Sequence, residues 1–144
     1  MQTCHTYDNL SMCKGAAMQK ILFVGLGGFI GSILRYLMSL AAPKYLGTQL
    51  PYGTLLVNVI GGLFIGLVME LSLKNPGFSP ELKLFLTTGI MGGFTTFSTF
   101  SYETILLFSG GSYFKACLNI GLNLILSLGA VLLGKGLPRF FGHA

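Results

Sequence analysis

The sequence predicts an all-α membrane protein built from four transmembrane helices. Only 9% of its 144 residues are charged and 52% are hydrophobic, whereas a soluble domain carries about 25% charged residues. About four apolar stretches, 21–42, 53–73, 82–108 and 114–134, approach or exceed the roughly 20 residues that a helix needs to cross a hydrocarbon core near 30 Å thick. Connectors around Pro43-Lys44, Asn75-Pro76-Gly77 and Gly110-Gly111 place turn formers or a charge between them.

Residues 1–17 are polar and aperiodic, and Met18 would serve equally well as a start, so they are read as a disordered leader before one transmembrane domain over 18–144. The first apolar run follows Lys14 and Lys20 and ends near Ser39-Leu40-Ala41, but it exceeds the core of a usual signal peptide and is read as a span. Gly27–Gly31 in the first span, Gly62–Gly66 in the second and Gly89–Gly93 in the third are Gly-xxx-Gly pairs. Such pairs let helix backbones approach closely, although glycine is also simply common in membrane helices.

The second span carries Asn58 at mid-depth, where its amide needs partners. It either orients an anion or ties two helices together. The third span is the most polar: Thr95, Thr96, Ser98, Thr99, Ser101 and Tyr102 follow Gly92-Gly93 directly. One reading is an unbroken helix whose hydroxyls bond back one turn. The other is a break near Gly92, tolerated where protein or a water-filled cavity covers it. A break would bare carbonyls on one half-helix and amides on the next, giving opposite partial charges. Phe97 and Phe100 are three apart and share a helix face. They are either packing or an aromatic stripe whose positive ring edges can meet a small anion. In the fourth span Asn119, Asn123 and Ser127 recur every four residues on one face. That polar track serves either interhelical bonding or a pathway.

Arg35 and Glu103 are the ionisable groups nearest membrane depth, where such side chains face protein or water. Arg35 either snorkels to the surface or draws anions into a vestibule. The net charge of +5 is scattered rather than clustered, which gives nucleic-acid binding no support. Lys14, Lys20, Lys74, Lys83, Lys135 and Arg139 oppose Arg35, Lys44 and Lys115 across the membrane, a weak bias toward cytoplasmic termini. Cys4, Cys13 and Cys117 form no CxxC pair, and His5 and His143 sit at the ends. The spans contain no carboxylate pair and no nucleophile with an adjacent base, so an enzyme is not expected.

Three motifs, GLGGFIGSILR at Gly25–Arg35, GTLLVN at Gly53–Asn58 and GGFTTFSTFS at Gly92–Ser101, together resemble the Fluc (CrcB) fluoride-channel family. The resemblance runs from about Met18 to Leu133, and the third motif is its most specific part. It implies an antiparallel, dual-topology homodimer in the bilayer, with a broken third helix and two fluoride pores along the subunit interface. It assigns the pore to Asn58, Phe97 and Phe100, with Thr96, Thr99 and Ser101 as further contributors and Asn119, Asn123 and Ser127 as the fourth-helix track. It matches Arg35 to a first-helix arginine, and it implies a structural sodium ion on the twofold axis, held by the carbonyls of Gly92 and Thr95. The expected activity is passive export of fluoride, lowering its cytoplasmic level, across a bacterial inner or plasma membrane. The alternatives are a small dual-topology, proton-coupled multidrug transporter, for which Glu103 is the only candidate acid, and a noncatalytic membrane assembly subunit.

Overall fold

A computed structural model describes residues 7–141, and all regular structure among them is helical. The elements are α1 (Tyr7–Leu46), α2 (Tyr52–Lys74), α3 (Pro80–Leu84), a π-helical stretch (Phe85–Met91), the single turn α4 (Gly92–Phe94), α5 (Phe97–Ser109) and α6 (Tyr113–Phe141). Among the described residues three segments are long and apolar enough to cross a membrane: Ala17–Leu46, Tyr52–Lys74 and Tyr113–Pro138. The expected span over 82–108 is instead divided among α3, the π stretch, α4 and α5, none of which reaches that length alone.

α1 begins inside the polar leader, because adding residues to an existing helix is far easier than nucleating one. Residues 1–6 of that leader and 142–144, with Cys4, His5 and His143, lie outside the described residues. α1 ends where Gly47 takes a left-handed conformation (φ +80°), its amide returning to the Pro43 carbonyl at 3.1 Å. The α5–α6 turn closes the same way around Gly111 (φ +73°). There Ser112 N donates to Leu107 O (2.9 Å) and Gly111 N to Phe108 O (3.0 Å), which satisfies the last carbonyls of α5. α3 starts on a capped turn: Ser79 Oγ accepts from Leu82 N at 3.1 Å, and Pro80 fills the first position, where no amide is needed.

Two seams hold the bundle together. On the first, a Cβ added to Gly27 would lie 2.6 Å from Phe85 O, and one on Gly31 would strike Ile90 O, so α1 packs backbone to backbone on the π stretch and α4. Gly89 and Gly93 answer from the other side, against Gly27 and Gly28. On the second seam α2 and α6 share the most extensive interface among the described residues, with Gly62 and Gly66 against the Ser127 and Val131 carbonyls. All three Gly-xxx-Gly pairs of the sequence therefore sit at helix contacts.

Candidate functional site

Helical winding stops at Phe94. Thr95 (φ −78°, ψ 158°) and Thr96 (φ −152°, ψ 123°) are extended, and α5 starts at Phe97. A chain leaving helical geometry must find other partners for its backbone groups. Thr95 still closes the turn behind it, with both its amide and its Oγ1 on Met91 O at 2.9 Å. The Thr96 amide, which in an unbroken helix would return to Gly92 O, donates instead to Asn58 Oδ1 at 2.9 Å. The Thr99 amide, which would return to Thr95 O, bonds Thr96 Oγ1 at 3.3 Å and so caps α5. The carbonyls of Gly92 and Thr95 thus lose their helical donors. Arg35 Nη1 approaches Thr95 O at 3.4 Å.

Asn58 braces the extended segment from α2. Its Nδ2 donates to Thr96 O (3.1 Å) and to Asn123 Oδ1 (3.0 Å), so both amide hydrogens are committed. Asn123 Nδ2 donates to the backbone and side-chain oxygens of Asn119 at 3.1 and 3.0 Å. Asn119 Nδ2 donates to Thr104 Oγ1 at 2.9 Å, and Thr104 donates to Phe100 O at 2.7 Å. Asn119, Asn123 and Thr104 are buried, and this closed set of bonds is what makes their burial tolerable.

A groove of about 310 Å³ opens beside this network and brings together Asn58, Thr95, Thr96, Phe97, Phe100, Asn123 and Ser127. The two phenyl rings form one wall, with centroids 5.6 Å apart and planes tilted by 55°. Phe100 is buried at 8% exposure, while Phe97 stands 76% exposed in the single chain. The Ser127 hydroxyl is buried without a hydrogen-bond partner.

Arg35 and Thr99 line a second groove with Ser32, Ser39, Ser98 and Thr96, which faces both. Thr96 Oγ1 bonds Thr99 Oγ1 at 3.0 Å. Ser101 lines neither groove; its hydroxyl returns to Phe97 O at 2.9 Å. Asn119 lies behind Asn123, away from the groove. Gly92 is exposed at the end of the π stretch. Sequence reasoning missed Thr104. Thr104 stands one turn after Phe100, and that spacing was the available signal. Glu103 Oε2 is buried without a hydrogen-bond partner.

A family model described as CrcB-like protein, Camphor Resistance (CrcB), matches residues 22–135. The chain belongs to the CrcB family. Curated relatives of this CrcB chain are named fluoride-specific ion channel FluC. Those from Clostridium perfringens and Clostridium novyi are 54% and 50% identical over 125 residues, covering 85% of this chain and 98% of theirs. The relative from Shewanella denitrificans is 48% identical over 120 residues, covering 83% of this chain and 96% of its own. The CrcB match contains every candidate residue from Arg35 to Ser127 and leaves the leader outside it.

Proposed function

We propose that this chain forms a fluoride-selective channel through which fluoride leaves the cytoplasm passively. Its relatives carry that description in their names. Within this molecule, the reading rests on the Phe97–Phe100 pair walling a mainly apolar groove, into which Asn58, Asn123 and Ser127 bring polar groups, at the point where helical winding stops. Hydrogen fluoride enters cells uncharged and dissociates at cytoplasmic pH. The trapped anion then needs a path out, and no bond is made or broken on the way.

Fluoride holds its water tightly, so the path must replace lost water with donors and positive ring edges. Ser127 supplies an uncommitted hydroxyl, and Phe97 and Phe100 supply the rings. Asn58 and Asn123 shape the wall, since their amide hydrogens are already engaged. Thr96, Thr99 and Ser101 set the backbone around the rings, and Arg35 attracts anions into the neighbouring vestibule. Chloride is too large for contacts of this closeness. Binding must stay weak enough for the ion to leave.

The working form is an antiparallel homodimer of dual topology, in which α3 through α5 together make one broken crossing. The exposure of Phe97 in the single chain supports it, because a second subunit would cover that side of the groove. The Gly92 and Thr95 carbonyls, without their helical donors, are suited to a structural sodium ion at the dimer axis. Neutral carbonyl oxygens suit a hard cation, and a carbonyl has two lone pairs, so Thr95 can face both Arg35 and an ion. A bound cation would offset the partial negative charge at the end of the first half-helix. The bacterial sources of the relatives support placement in an inner or plasma membrane.

The test is efflux from liposomes containing the purified protein, read with a fluoride electrode and with chloride as control. Fluoride should leave and chloride should stay. Retention of fluoride, or equal loss of both ions, would overturn the proposal. Proton-coupled uptake of a lipophilic cation, abolished by Glu103→Gln, would point to the transporter instead.

A further inference from the structure

The hydrogen bonds behind the groove form a directional relay, and both of its ends are fixed by the backbone. At one end the Thr96 amide can only donate; at the other the Phe100 carbonyl can only accept. Between them Asn58 donates to Asn123, Asn123 to Asn119, and Asn119 to Thr104. Turning any one amide over would set donor against donor or acceptor against acceptor. The two anchors flank the stretch that carries the phenyl rings, so the relay is a loop closed through α2 and α6.

Thr104 is the terminal link. Its hydroxyl is the one group that both accepts from Asn119 and donates to Phe100 O, and it is 5% exposed, so water cannot readily replace it. We propose that Thr104 is a positioning residue: the Thr96 N–H and C=O orient the Asn58 amide, and Thr104, through Asn119 and Asn123, holds that amide still against the extended Thr95–Thr96 segment. It touches no ion. Only the flux readout below depends on the channel reading; the exchange readout does not.

Thr104→Val keeps the side-chain shape and removes the hydroxyl, whereas Thr104→Ser keeps the hydroxyl. In detergent-solubilised protein, hydrogen exchange at the Thr96 amide should quicken about tenfold in Thr104→Val, as expected when a buried link is left unmade. Fluoride efflux from liposomes should slow about tenfold, with chloride discrimination reduced. Thr104→Ser should stay close to wild type in all three measurements. Wild-type Thr96 exchange in Thr104→Val, or equal damage from Thr104→Ser, would overturn the proposal. If Thr104→Val does not elute as the wild type does, Asn119→Asp takes its place, because it keeps the shape and loses the donor to Thr104. Exchange decides the matter even if the wild-type protein passes no fluoride, in which case the channel reading fails by itself.

Discussion

The two halves of the chain on either side of the extended Thr95–Thr96 pair are held by opposite means. The first half, from Pro80 to Phe94, lies against α1 through glycines and bare backbone. The second half, α5, is tied to α2 and α6 by amide and hydroxyl side chains. Lipid explains why both devices exist, because apolar side chains gain little from leaving a solvent as apolar as themselves. Close packing can join smooth surfaces. Where winding stops, only hydrogen bonds can satisfy the exposed peptide groups.

Gly31→Ala is the most severe way to break this contrast. Its methyl would strike Ile90 O and crowd Phe94 N at 2.8 Å, and backbone on both sides cannot step aside. A loss of about 3 kcal/mol, seen as collapse of the solubilised protein on gel filtration, is the expected outcome. Asn58→Leu attacks the other half by stripping both partners from Thr96. It should cost about 2 kcal/mol in thermal melting and abolish selective efflux, while the glycine seam stays assembled.

Phe97→Ile touches neither seam, since the ring is exposed in the single chain. Stability should stay within about 0.5 kcal/mol. Fluoride efflux should fall about tenfold, because the positive ring edge is gone. Wild-type flux in that variant would separate the aromatic pair from conduction. Ser127→Ala is the mildest change: removing an unpartnered buried hydroxyl should raise stability by less than about 1 kcal/mol while fluoride efflux declines several-fold.

The glycine seam was largely legible in the sequence, because Gly27–Gly31, Gly62–Gly66 and Gly89–Gly93 advertise close approach through spacing alone. The polar half was legible only as a list of parts. Asn58 and Asn123 lie 65 positions apart and Asn58 and Thr96 lie 38 apart, so nothing local pairs them. The alternative readings of Asn58 and of the fourth-span track could not be separated before those distances were known. The π winding of Phe85–Met91 had no sequence signal that periodicity detects. It places Phe85 O, Gly89 and Ile90 where Gly27 can meet them. Three spans were clear from length and hydropathy, while the stretch 82–108 reads as apolar yet is divided by its own threonines.

Forty residues make α1 about 60 Å long, roughly twice the thickness of the oily layer it enters. Part of it must therefore stand in water as a stalk, and Lys20, exposed near its base, offers trypsin a cleavage point there. In sealed vesicles that stalk is a compass needle. Chains whose stalk faces outward are cut at Lys20 and the others keep that bond, so a population inserted both ways round would leave about half of its stalks attached, whatever happens at Lys44 on the opposite side.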